Sequence, residues 1–132
     1  MPLKLLHQPD LGVLLFRLYV GLAMAFAHGI SKVPPSEQFV SGVEALGFPL
    51  PVLFAWSAGL TELVGGLLIA LGLGTRFASF GLGFTMAVAA FGRHGADPFK
   101  LQELSLFYLF ACVLLIFFGA GKFSLDRLIF KK

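Results

Sequence analysis

Apolar residues dominate four long stretches of the chain, and polar residues gather in the segments between them. The first stretch, about 11–30, follows Pro9 with Asp10 as its N-cap and is stopped by Pro34-Pro35. The second, about 52–72, opens after "GFPLP" and closes in the glycine turn "GLGTR". The third, about 77–92, gives way to "RHGADPFK", where Asp97-Pro98 signals a turn. The fourth, about 101–118, is terminated by Gly119 and Gly121. A hydrocarbon core needs roughly 20 apolar residues per helix, so each stretch predicts a membrane span. Between the first two, residues 31–51 carry Lys32, Glu37 and Glu44 and are too polar to cross; a short amphipathic helix near 39–46 is expected at the interface. The closing "KFSLDRLIFKK" is basic and amphipathic, suited to the membrane surface.

Composition turns this pattern into a class. Of 132 residues, 58% are hydrophobic and 13% charged, against about 25% charged in ordinary soluble domains. The expectation is an all-α, polytopic membrane protein, a bundle of four transmembrane helices in one domain over 1–132. Lys4 before an apolar run, with Ala25-Phe26-Ala27 beyond it, imitates a signal peptide. Arg17 interrupts that run and the run is long enough to span, so a retained first helix is expected. The net charge of +3 comes from scattered residues and points to topology and anionic lipid rather than nucleic acid. Lys4, Arg76, Lys122, Arg127, Lys131 and Lys132 fall on one side, and Lys32, Arg93 and Lys100 on the other. Six against three places both termini in the cytoplasm. Cys112, the one cysteine, lies in an apolar run and reads as a small buried hydrophobe; no internal disulfide can form.

Small residues supply packing. Ala78, Gly81, Thr85, Ala89 and Gly92 recur every three or four residues on the third span, and the second contributes Gly59, Gly65 and Gly66. Trp56 fits an interface anchor. "AFAHG" closes the first span and "AFGRHG" the third, a faint internal echo suggesting a duplicated helix pair.

Charge at membrane depth is costly and marks sites. Arg17, Gly21, Met24 and His28 lie four, three and four residues apart on one face, extended by Lys32. An Arg17–Glu62 ion pair is the simplest resolution of two buried charges; Arg17 could instead snorkel to the cytoplasmic surface. Near the outer leaflet, His28, Lys32, Glu103 and His94 gather as candidate ligand-binding residues. A histidine and a carboxylate suit a quinone headgroup, since imidazole titrates near neutrality, while apolar walls would hold the isoprenoid tail. Haem ligation by His28 and His94 is a weak alternative, and no HxxxH or ExxH spacing supports a metal.

The order of these features resembles the DoxX/DoxD family of small four-helix membrane proteins. It is carried by "RLYVGLAMAFAHGISKV", by "GFPLPVLFAWSAGLTELVGGLLIALGLGTRFAS" and by "GAGKFSLD". The resemblance implies an inner-membrane bundle whose polar residues would be Arg17, His28, Lys32, Glu62, Arg76 and Glu103. Family members are linked to membrane oxidoreductase systems, including a subunit of thiosulfate:quinone oxidoreductase, and to thiol, superoxide or quinone stress; related proteins assist membrane-protein assembly. The chain has no cysteine pair and not the extra domains of larger members, so thiol–disulfide chemistry would belong to a partner.

Three readings follow. The first is a redox-system subunit that binds quinone or a similar apolar electron carrier, with a membrane or redox protein as partner. The second is a non-catalytic assembly or partner protein. The third is a small-molecule transporter, which with so few helices requires a homo-oligomer. No redox centre is visible in the chain, so the first reading stops short of an enzyme.

Overall fold

The computed structural model describes Lys4 and residues 6–130; Lys131 and Lys132, counted above toward orientation, lie outside the described residues. Among the described residues there is helix and no strand. The elements are α1 (Pro9–Ala23), a π-helical turn (Met24–Gly29), a 3-10 turn (Ile30–Lys32), α2 (Glu37–Ala45), α3 (Pro51–Leu71), α4 (Thr75–Ala87), a second π turn (Val88–Arg93), α5 (Phe99–Phe118) and α6 (Leu125–Phe130). Pro9–Lys32, Pro51–Leu71 and Phe99–Phe118 are each long and apolar enough to cross a membrane.

Local chemistry sets the boundaries. Pro51 opens α3 at a position where a missing N–H costs nothing, and Gly72, at φ 71°, closes it in the left-handed region. Ser36 caps α2, its hydroxyl accepting from Phe39 N at 3.1 Å. Asp10 does not cap α1, as its position after Pro9 suggests. The helix already begins at Pro9, and the Asp10 carboxylate accepts from Lys122 N at 2.9 Å, tying the start of α1 to the tail. Asp126 makes the corresponding tie at α4, where its two oxygens accept from Gly74 N and Thr75 N at 2.8 and 3.1 Å. Two orphan donors and the positive end of the helix dipole are satisfied by one carboxylate from the far end of the chain.

α1 packs on α3, α3 on α4, and α4 on α5. Val20, Met24, Ile69, Leu82, Met86, Ala111, Cys112 and Leu115 from all four form the core. Outside it, apolar side chains face away: Phe77 is 89% exposed and Phe117 81%. At about 25 cal/mol per Å² such a surface would be untenable in water; lipid is its solvent.

The tightest contact lies between α1 and α3. A Cβ built on Gly66 would stand 2.6 Å from Gly21 O, and one on Gly29 2.5 Å from Leu63 N. The stripe on α4 is looser: a Cβ at Gly81 finds Thr61 at 3.7 Å. Helix approach in lipid depends on this closeness rather than on hydrophobicity. Gly66→Ala should therefore lower stability by about 1–3 kcal/mol through overpacking, whereas Gly12→Ala, with nothing within 4 Å, should leave it unchanged. Thermal unfolding of the two variants in the same detergent checks this; equal melting temperatures would refute the packing argument.

Candidate functional site

The glycine contacts fix the axial register of α1 and with it the depth of every charged side chain. Gly29 meets α3 at Leu63, near the helix midpoint, so His28 stands level with Glu62 rather than at a helix end. Gly21 meets Gly66 and Ala70, which leaves Arg17 at the C-terminal end of α3. Eight residues separate Ala70 from Glu62, about 12 Å of rise.

The expected Arg17–Glu62 pair is therefore not formed. Arg17, 1% exposed, donates from Nε to Ile69 O at 3.0 Å and from Nη2 to Ala70 O at 3.3 Å and Phe123 O at 3.0 Å. Its Nη1 donates to Ala120 O. A guanidinium with five fixed N–H donors suits several carbonyls at once, and the negative end of the α3 dipole helps to offset its charge. Arg76 follows the same logic at α5, donating from Nε to Ile116 O at 3.0 Å.

Glu62, 2% exposed, is matched by Lys32. Lys32 Nζ lies 2.9 Å from Oε1 and 2.8 Å from Oε2, with a geometry that makes a hydrogen bond only to Oε1. The ammonium also sits 5.3 Å from the Phe39 ring centroid, linking the wall of the site to α2. Lys32 reaches inward because the π and 3-10 turns carry the first span past Glu62 and Gly59 packs against its carbonyl.

A cavity of about 780 Å³ opens beside this pair, between the two turns that follow α1, the π turn after α4, and α2, α3, α4 and α5. Met24, Phe39, Val43, Phe54, Phe84 and Leu104 make apolar walls, and His28, Lys32, Glu62, Arg93, His94 and Tyr108 bring polar groups to it. The His28 ring meets Tyr108 edge-on, centroids 5.6 Å apart. Tyr108 is 6% exposed and lines the cavity. His94 is held by Asp97, Nδ1 to Oδ2 at 2.8 Å, and its carbonyl accepts from Gln102 at 2.6 Å.

Of the four candidate ligand residues, His28, Lys32 and His94 line the cavity and Glu103 does not: it is exposed. The reason is helical phase. Leu101, Leu104, Ser105 and Tyr108 share the cavity face of α5, and Glu103, two residues from Leu101, points about 200° away. Tyr108 is the residue that sequence reasoning missed; its spacing from Leu101 and Leu104 was the available signal. Both echoed segments, "AFAHG" and "AFGR", lie in the π turns and flank the cavity, a geometry frequent at functional sites. Among the described residues no three histidine, cysteine or acidic side chains converge as metal ligands.

Fold and site together define a membrane-embedded, all-helical protein with an amphiphile-sized cavity. Comparison with known proteins supplies the rest: the chain belongs to the DoxX family, which it matches over residues 12–95. It is 36% identical over 117 residues to an uncharacterized protein of Haemophilus influenzae, covering 83% of this chain and 84% of the relative. An uncharacterized membrane protein of Mycobacterium tuberculosis, Rv3486, is 32% identical, covering 98% and 88% respectively. A Bacillus subtilis relative named "Putative oxidoreductase CatD" is 29% identical, covering 92% and 90%. No solved structure matches the chain.

Proposed function

We propose that this protein is the integral membrane subunit of a redox system and that its cavity holds a quinone or similar apolar electron carrier. In this reading all four long helical segments span a bacterial inner membrane with both termini in the cytoplasm. The observation that carries it is the contact of His28 with Tyr108 beside the apolar side chains of the cavity wall. Headgroup carbonyls need donors, and both side chains supply them at a depth the isoprenoid tail can share. The cavity volume falls within the roughly 300–1,000 Å³ of small-molecule sites, and the name of the Bacillus subtilis relative agrees with an oxidoreductase setting. Quinone, when bound, supplies the electron-carrying chemistry; the protein positions it and excludes water.

Purification in mild detergent with native lipid retained, followed by solvent extraction, should recover near-stoichiometric quinone. Tyr108→Phe and His28→Ala should each weaken added short-chain quinone about tenfold, the value of one hydrogen bond. A stoichiometric protein partner co-purifying with no quinone, and unchanged binding in both variants, would transfer the chain to the assembly-partner class.

A further inference from the structure

We infer that the cavity takes its carrier in the reduced, hydroxyl-bearing form, with Glu62 as acceptor of that hydroxyl; this rests on the carrier-binding reading above. An ionised carboxylate offers about four acceptor positions. Glu62 is almost wholly buried and lines the cavity, yet among the described residues its carboxylate meets Lys32 Nζ and no other donor. Oε2 is left without a hydrogen bond of good geometry. Lys32 is one donor group set against these acceptor positions, so it neutralises the carboxylate without filling it.

Charge selects the complementary group. A cationic ligand would face Lys32 and Arg93, and an anionic one would meet Glu62. A neutral hydroxyl can donate to Oε2 while its own oxygen accepts from Tyr108 or His28. An oxidised quinone presents only carbonyl lone pairs to the carboxylate, which repel it. Glu62 thus does more than neutralise Lys32: it sets which redox state is held.

Titration calorimetry on the full chain in detergent, with decylubiquinol, decylubiquinone and the 1,4-dimethyl ether of decylubiquinol, tests this. The quinol should bind at least tenfold more tightly than the other two, as expected for a hydrogen bond to a charged group. A tenfold preference also raises the potential of the bound two-electron couple by about 30 mV. Glu62→Gln should reduce the preference to within about threefold. Equal binding of all three ligands overturns the role of Glu62 while leaving the cavity reading intact. Absence of binding by all three overturns both. Should Glu62→Gln fail to fold, the ligand series on the unaltered chain decides alone.

Discussion

Replacing Arg17 with alanine is expected to cost about 3 kcal/mol or more and to release residues 119–124 from the bundle. Four carbonyls lose their donor: two at the end of α3, at Ile69 and Ala70, and two in the tail, at Ala120 and Phe123. A buried acceptor left unsatisfied costs about 1–3 kcal/mol, and water at the membrane surface reaches some of the four. Arg17→Lys should recover less than half of the loss, because three donors on one ammonium cannot reproduce a planar fork that reaches two elements. Thermal unfolding in detergent measures the first effect, and protease cleavage after Lys122 measures the second. A variant that melts with the parent and keeps its tail protected would show that the carbonyl contacts carry little.

The second large effect concerns Lys32 and Glu62, and it is asymmetric. Lys32→Met leaves the Glu62 carboxylate buried with no counter-charge and should destabilise by about 3 kcal/mol, the lower end for a broken buried pair because the Lys32 side chain is 30% exposed. Glu62→Leu should cost less, since the freed ammonium can swing toward solvent. The double variant Lys32→Met/Glu62→Leu should regain most of the loss. Melting curves of the four proteins form a double-mutant cycle; additive losses would show that the two groups do not interact.

Sequence patterning made the helices legible, because long apolar runs and their glycine and proline boundaries are local signals. The turns at Gly72 and Gly119 and the short helix, expected near 39–46 and found at Glu37–Ala45, belong to the same class. Pairing of charges was not legible. It depends on the axial register of α1 against α3, which Gly21, Gly29 and Gly66 set through backbone contact. A shift of two turns moves Arg17 from Glu62 to Ala70 and brings Lys32, a candidate ligand residue near the outer leaflet by sequence, to the buried carboxylate. Glu103 and Tyr108 differ for another reason. The carboxylate drew attention by its charge, but helical phase, not residue type, decides which side chain reaches the cavity. The two π turns were invisible beforehand because their composition is that of any apolar helix.

The Arg17 contacts have a consequence in time. The partner carbonyl at Phe123 lies 106 residues later in the chain. At about 5–20 residues per second of synthesis, that carbonyl is made roughly 5–20 s after Arg17. The first helix therefore enters the membrane carrying a cation whose counter-groups do not yet exist. Its charge must be held at the membrane surface, or by the insertion machinery, until α3 and then the tail arrive. Residues 120–126 are the clasp that closes the bundle, and the nascent chain stays open at this end until they have been made.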